Sequence, residues 1–252
     1  MRLTVVGNSG SFPGPGSPAS CYLLEAEHDG RSWRIVLDLG NGALGALHRY
    51  VDPLSLDAVL LSHLHADHCL DLCGYYVMRK YHPAGAQPLL PVWGPADTAA
   101  RVARAYDLAE EPGMTEEFDF LTLPTDEFRI GPFAVVARRV VHPVPAYALR
   151  VSAEGRTLVY SGDTAACSAL TEHAKGADLL LCEASFLGSA DNPPDIHLTG
   201  AEAGQIAGDA AVGRLLLTHI PPWHDPETVL AEARSAYDGD VALAGAGVSY
   251  DV

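Results

Sequence analysis

The sequence predicts an α/β chain of two packed sheets with outer helices, carried by a single domain over residues 1–252. Two observations lead there. Strand-sized apolar runs recur in both halves, with helical segments between them and no obvious repeat, which two helix-covered sheets accommodate. Hydrophobic residues make up 48% and charged residues 19% of the chain, a balance that supports a sizeable core and excludes a disordered polypeptide. No long linker or low-complexity segment divides the halves.

The elements follow in order. Leu3 to Val6, Cys21 to Glu25 and Trp33 to Leu37 read as short strands, with Gly-Asn-Ser-Gly and Pro-Gly-Pro-Gly-Ser-Pro turn chemistry intervening. This glycine-rich loop lacks the Gly-Lys-Ser/Thr ending of a Walker phosphate loop. Gly40-Asn41-Gly42 opens a helix through Tyr50. Asp57 to Ser62 is a strand whose apolar run indicates burial on both faces. A histidine-rich turn follows, then an amphipathic helix to about Tyr81. Leu89 to Trp93 reads as a strand, Pro95 to Leu108 as a helix, and Glu110 to Glu117 as an acidic, solvated connection. Phe118 to Leu123, Phe128 to Ile130, Phe133 to Val141, Tyr147 to Val151 and Thr157 to Tyr160 read as strands. In the last third, Asp178 to Cys182, Arg214 to Thr218 and Val241 to Leu243 are strands. Between them, Thr199 and Glu202 form a capping box that starts a helix to about Val212. Asp225-Pro226 starts another, with Asp as N-cap and Pro at the first helical position.

Charge and cysteine usage narrow the function. Lys plus Arg total 16 and Asp plus Glu total 32, a formal net charge of −16 that repels long phosphate polymers. A long nucleic-acid partner is therefore not expected, whereas a small anion held by a local positive centre is compatible. No apolar run reaches membrane-spanning length, and the residues from Met1 read directly as a strand without the pattern of a signal peptide. Cys21, Cys69, Cys73, Cys167 and Cys182 are odd in number and contain no Cys-x-x-Cys pair, as expected of reduced thiols in a cytoplasmic protein. The same spacing argues against a cysteine zinc site.

The histidines carry the chemistry. Ser62-His63-Leu64-His65-Ala66-Asp67-His68 puts four metal-competent side chains at a strand-to-helix turn. His63 and His65, two apart on extended backbone, point to one side, while Asp67 and His68 fall as the chain turns. Imidazole with carboxylate suits zinc, with manganese or iron as chemical alternatives. His142, Asp163 and His219 each lie just past a strand, where loops meet at a sheet edge. Together these seven side chains supply enough ligands for two divalent ions. Such ions lower the pKa of a bound water and supply the positive field that a −16 chain otherwise lacks. Asp38, at a strand end, can accept a hydrogen bond from a ligand histidine.

The pattern His63-x-His65-x-Asp67-His68, then His142, Asp163 and His219, resembles the full ligand set of the metallo-β-lactamase superfamily over almost the whole chain. The resemblance implies a four-layer αββα sandwich with the metals at one edge of the paired sheets. It implies that His63, His65 and His142 hold one ion and that Asp67, His68 and His219 hold the other. It also implies that Asp163 bridges them, with a hydroxide between.

Superfamily membership does not set the substrate. Asp163 stands where many zinc β-lactamases place a cysteine, and the nearby Cys167 reads better as a buried small residue. Leu181-Cys182-Glu183-Ala184-Ser185-Phe186 and Ile196-His197-Leu198-Thr199-Gly200 are similar to the Glu and His motifs of ribonuclease Z and its phosphodiesterase relatives. In those enzymes the His lies beside the scissile phosphate and the Glu orients it. The long arm that ribonuclease Z carries for transfer RNA has no room between His142 and Asp163, which two strands and a Glu154-Gly155 turn fill.

Further stretches resemble the actinobacterial cyclic-nucleotide phosphodiesterases of the atypical class II type. They include Ser17-Pro18-Ala19-Ser20, Arg79-Lys80-Tyr81-His82-Pro83 and Leu217-Thr218-His219-Ile220-Pro221-Pro222-Trp223. This implies hydrolysis of 3′,5′-cyclic AMP to 5′-AMP. Asp67 would orient or deprotonate the nucleophile, and His197, held by Glu183, would assist the leaving group. The rivals are thioester or lactone hydrolysis of the glyoxalase II kind, a ribonuclease Z-like RNA phosphodiesterase, and a non-catalytic metal-binding interaction protein. Tyr75, Tyr76, Arg79, Tyr81 and His82 follow the metal motif and read as helix packing or a dimer face, with base stacking as the other reading. Trp223 and His224 follow the last ligand, where they could rim the pocket. A homodimer is expected by analogy with the ribonuclease Z group. His28, His48 and His173 read as polar surface.

Overall fold

The computed structural model describes residues 1–252. The first half contributes the strands β1 (Arg2–Gly7), β2 (Cys21–His28), β3 (Arg31–Leu37), β4 (Ala58–Leu60), β5 (Leu90–Gly94) and β6 (Phe118–Thr122). The second contributes β7 (Phe128–Ile130), β8 (Phe133–Arg139), β9 (Tyr147–Ala153), β10 (Arg156–Tyr160), β11 (Leu179–Glu183), β12 (Arg214–Thr218), β13 (Asp240–Leu243) and β14 (Ser249–Asp251). They form two seven-stranded sheets, ordered β14-β1-β2-β3-β4-β5-β6 and β13-β12-β11-β10-β9-β8-β7. The helices are α1 (Ala43–Leu47), α2 (Ala66–Cys69), α3 (Leu72–Lys80), α4 (Thr98–Ala105), α5 (Ser168–Ala174), α6 (Gly200–Asp209) and α7 (Pro226–Ala236).

Side-chain alternation along each strand builds the layers. Tyr22 and Leu24 of β2 meet Leu158 and Tyr160 of β10 in the core between the sheets, with Phe133, Leu149 and Leu181. The alternate residues Cys21 and Leu23 point to the other face, against α1 and α3. Val159, Leu180 and Cys182 likewise face α5, α6 and α7. The result is the expected four-layer αββα sandwich, with continuous apolar runs because strands such as β4 and β11 are buried on both faces. Among the polar contacts that cross between the sheets, Tyr160 Oη donates to Asp38 at 2.7 Å, and Tyr22 Oη lies 2.7 Å from Thr218 Oγ1.

Strand direction places the site. β3 to β6 run parallel to one another, as do β10 to β13. Their carboxyl ends therefore gather at one edge. β8 is antiparallel to β9 and β9 to β10, so the end of β8 arrives at that edge too.

The local signals act as the sequence requires. Thr199 Oγ1 accepts from the Glu202 N–H at 3.2 Å while Glu202 accepts from the Thr199 N–H at 2.8 Å, closing the capping box of α6. Asp225 accepts from the Glu227 N–H at 3.2 Å at the start of α7. Glu154 and Gly155 both have positive φ (53° and 73°), the mirror-image turn that suits the twist of a two-residue hairpin. That hairpin occupies the space between His142 and Asp163.

Several expectations are corrected. The single helix after the histidine motif is two, α2 and α3, and the Gly40 to Tyr50 helix shortens to α1. The acidic connection is not wholly solvated: Met114 and Glu117 are buried. His173 is not polar surface but buried in α5, its Nε2 donating to the Val136 carbonyl at 3.1 Å, and burial pushes its pKa down to about 4. Helix α5 and strand β14 have no counterpart in the sequence reading.

The capping box gives a stability test. Thr199→Ala should cost about 1 kcal/mol in denaturant unfolding, with metal content unchanged.

Candidate metal centre

Each candidate ligand stands at the carboxyl edge. β4 ends at Leu60, and the Leu61 N–H donates to the Trp93 carbonyl at 2.7 Å before the chain leaves the sheet. His63, His65, Asp67 and His68 follow in the turn and in α2. His142 follows β8, Asp163 follows β10, and His219 follows β12. Gly40 lets the loop after β3 press on this turn: a Cβ there would lie 1.9 Å from the Asp67 carbonyl oxygen.

The donor atoms converge in two groups that share one member. His63, His65, His142 and Asp163 have ligand atoms within 4.8 Å of one another, and so do Asp67, His68, Asp163 and His219. His63 Nε2 is 3.1 Å from His65 Nδ1, and His142 Nε2 is 3.2 Å from the same atom. In the second group His68 Nε2 lies 3.2 Å from His219 Nε2, and Asp67 Oδ2 lies 3.1 Å from His219 Nε2. Tetrahedral ligands at zinc–nitrogen bond length sit about 3.3 Å apart, so these spacings suit atoms that share an ion.

The outer nitrogens set the tautomers. His68 Nδ1–H donates to Asp38 Oδ2 at 2.7 Å. His142 Nδ1–H donates to the Ile196 carbonyl at 2.9 Å. His219 Nδ1–H donates to Ser185 Oγ at 2.7 Å, and that hydroxyl donates to the His219 carbonyl at 2.6 Å. His63 Nδ1–H donates to Ser62 Oγ at 3.1 Å, which in turn donates to Asp38 Oδ2 at 2.7 Å. Each of these rings therefore turns a bare Nε2 lone pair inward. Lone pairs then face lone pairs and carboxylate oxygens in a buried space. Asp163 Oδ1 is buried without a hydrogen-bond partner, although His68 Nε2 is 3.2 Å away. Buried acceptors set against acceptors require a cation between them. The cluster is thus capable of holding divalent metal.

The ionisation states agree. Burial pushes His63, His65 and His142 below the ordinary imidazole value, toward the neutral form that ligates metal. Burial opposes charge on Asp163, but His219, His68 and His63 around it hold its carboxyl well below the usual range. Burial also disfavours charge on His68, yet Asp163 and Asp38 on its two sides push it well above the ordinary value. The pocket favours positive charge at that point, and an ion on Nε2 would supply it.

Beside the cluster stands a second pair. Glu183 is fully buried, and its Oε1 accepts from the Thr164 N–H at 2.7 Å and from His197 Nδ1 at 2.9 Å. Its Oε2 accepts from the Ser185 and Leu198 N–H groups at 3.2 and 3.3 Å. His197 Nδ1 lies 4.0 Å from Asp163, and its ring centroid is 5.5 Å from those of both His142 and His219. Burial works against the charged imidazole, but the Glu183 carboxylate outweighs it and pushes His197 up to about 9.

All nine predicted site residues thus meet at one edge. Tyr75, Tyr76 and Arg79 do not join them. They are buried in α3, where Tyr75 and Tyr76 pack in the first sheet's outer core and Arg79 Nε donates to the Glu117 carbonyl at 3.2 Å. Cys167 is half-buried, its Sγ 3.7 Å from Thr164 Oγ1. The sequence reading missed Ser62, Ser185, Tyr160 and the Ile196 carbonyl as partners of the ligand shell. Ser62 and Ser185 lie inside the quoted motifs, where position beside a ligand was the available signal.

Residues 33–220 match the model of the beta-lactamase superfamily domain. The chain belongs to this superfamily. It is a metal-dependent hydrolase of the metallo-β-lactamase fold. An uncharacterized protein of Mycobacterium tuberculosis is 47% identical over 245 residues, covering 96% of this chain and 88% of that one. The probable metallo-hydrolase YhfI of Bacillus subtilis is 29% identical over 253 residues, covering 100% of both chains. Its crystal structure superposes with a TM-score of 0.86 over 99% of each. A ribonuclease Z of Myxococcus xanthus is 28% identical over 308 residues, covering 100% of this chain and 98% of that one. The superfamily's ribonuclease Z-like branch is therefore among its relatives.

In this superfamily member, Asp38 joins both halves of the cluster. Asp38→Asn should lower metal affinity about 10- to 100-fold, read by metal content after chelator competition, with the far-ultraviolet circular dichroism retained. Ser62→Ala, which removes the His63 contact and only one of the four donors to Asp38, should lower it less.

Proposed function

We propose that the chain is a phosphodiesterase acting on a small cyclic nucleotide, with 3′,5′-cyclic AMP converted to 5′-AMP as the leading reaction. His63, His65 and His142 would hold one divalent ion and Asp67, His68 and His219 the other, with Asp163 shared and zinc the best match to the donors. When bound, the ions would activate water and offset charge on the phosphoryl oxygens. The five cysteines are unpaired, which supports a cytoplasmic setting.

The observation that carries the reading is the His197–Glu183 pair at 2.9 Å. Departure of a 3′-oxygen creates a strongly basic alkoxide, which needs a proton in the transition state. Glu183 fixes the His197 tautomer by accepting from Nδ1, so Nε2–H is the bond available to the substrate. Glu183 raises the His197 value toward about 9, which favours keeping that proton at neutral pH. Asp67, held between His68 and His219, orients or deprotonates the attacking water. The relatives named ribonuclease Z and the resemblance to cyclic-nucleotide phosphodiesterases support the same bond type. The compact hairpin between His142 and Asp163 and the −16 charge favour a small substrate over a long RNA.

Metal-loaded protein incubated with cyclic AMP should release 5′-AMP, followed by chromatography. Asp67→Ala should abolish most of this turnover, and His197→Ala should cut it by about 10²- to 10⁴-fold, both with the fold intact. No product from a protein carrying two metals rejects the substrate; near-wild-type turnover in His197→Ala removes it from the mechanism.

The pH profile supplies a separate check. The acid form of His197 is present below its pKa and lost above it, so kcat should fall on the alkaline side. Two nearby cations oppose the Glu183 effect, which sets that limb at or below about 9. Glu183→Gln removes the carboxylate and should move the limb to lower pH; an unmoved limb assigns it to another group.

A further inference from the structure

Two exposed aromatic side chains stand beside the metal centre, and nothing in the hydrolytic chemistry uses them. Trp223 is 64% exposed and Phe12 37% exposed, although burial of such rings is favourable. The rings touch, with centroids 4.8 Å apart and planes inclined at 43°. The indole is oriented further by its Nε1–H, which donates to His224 Nε2 at 3.2 Å.

The loops that carry them are tied to each other and to a candidate ligand. Ser9 pairs with Ile220, and the Gly10 N–H donates to the Ile220 carbonyl at 3.2 Å. The Ser11 N–H reaches His219 Nε2 at 3.3 Å. A Cβ at Gly10 would lie 2.2 Å from the His219 carbonyl oxygen, so only glycine permits this approach. Ser11 and His219 both have positive φ, 63° and 55°, a backbone form that persists in such residues only where the surroundings hold it. From the Ser11 contact, the Phe12 Cα lies within about 9 Å of His219 Nε2. The aromatic pair is therefore a rigid wall at the His219 side of the site.

We propose that Trp223 is a stacking platform for the base of the nucleotide, with Phe12 holding its plane; this rests on the phosphodiesterase reading above. With the phosphate at the metal centre, the base lies one sugar ring away, on the scale of the wall's distance from His219. Stacking also suits a chain of net charge −16, because it adds affinity without further cationic side chains. Every base has a π-face, so the platform selects nucleotides from other phosphate esters more strongly than it selects among bases.

The test compares binding of 5′-AMP and ribose 5-phosphate to the metal-loaded protein by titration calorimetry, with cyclic AMP turnover assayed in parallel. The wild type should bind 5′-AMP about tenfold or more tightly than ribose 5-phosphate. Trp223→Leu should erase the difference, and Trp223→Phe should retain most of it. Trp223 is exposed, so an unchanged melting temperature confirms that the variant reports on binding. Equal affinities in the wild type, no affinity for either ligand, or a 5′-AMP preference that survives in Trp223→Leu overturns the proposal. A Trp223-dependent preference in a protein inert to cyclic AMP removes the substrate and leaves the platform. Turnover of cyclic AMP without that preference does the reverse.

Discussion

Four donors converge on the Asp38 carboxylate: the Ser62 N–H, the Ser62 hydroxyl, His68 Nδ1–H and the Tyr160 hydroxyl, each at 2.7 Å. Asp38 is fully buried, and an unpaired charge there would be strongly destabilising. The hydrogen bonds that satisfy it join the end of β3, the turn after β4, the second sheet through β10, and a candidate ligand. Sheet packing and ligand tautomer are consequently a single problem. If Tyr160 or Ser62 shifted, Asp38 would lose partners, and the Nε2 atoms of His68 and His63 would lose the contacts that turn them inward. The positive φ of Asp38, 59°, belongs to the same constraint, since the backbone there bends to bring the carboxylate under the turn.

Charge is distributed by the same logic. The protein as a whole is acidic, and the site adds four buried carboxylates, Asp38, Asp67, Asp163 and Glu183. None of these stands alone. Asp38 and Glu183 are satisfied by fixed N–H and O–H donors and by one histidine each. Asp67 and Asp163 instead face imidazole nitrogens whose protons point outward, and Asp163 keeps one oxygen without a hydrogen bond. The carboxylates without N–H or O–H donors are the ones assigned to ions. Two divalent ions would more than offset the two ligand carboxylates, turning the most acidic part of the interior into the place where an anion can bind.

What could be read from the sequence was local. The capping box at Thr199, the Asp225-Pro226 helix start, the strand runs and the histidine turn each depend on residues within a few positions, and each appears where its pattern requires. The candidate ligand set was legible because it matches the superfamily's pattern and because each member stands just past a strand, where an α/β topology brings loops to one edge. What escaped depends on contacts between distant positions. β14 exists because Ser249, Tyr250 and Asp251 pair with Thr4, Leu3 and Arg2, and three residues carry no period of their own. His173 looked polar because its acceptor, the Val136 carbonyl, lies on another element. Tyr75 and Arg79 read as helix packing or a dimer face, and only their burial in α3 decides for packing. The Phe12–Trp223 contact spans most of the chain and rests on backbone conformations that no composition announces.

The remaining choice, between phosphodiester and thioester, turns on groups that hold no metal. A thiolate departs as a weak base and needs little help from an acid; an alkoxide is far more basic and needs a proton. A site for thioesters could therefore dispense with His197 and would have no reason to keep a fully buried Glu183 against it. Burying that carboxylate is costly, and the Thr164, Ser185 and Leu198 N–H groups are all directed at it. Those amides fix the Glu183 carboxyl in place, Glu183 accepts from His197 Nδ1, and the raised pKa of His197 suits a leaving group that needs a proton as it departs. The supporting amides sit in two loops, one after β10 and one between β11 and α6. In the proposed phosphodiesterase, their convergence on one carboxylate would serve a leaving oxygen that must be protonated as it departs.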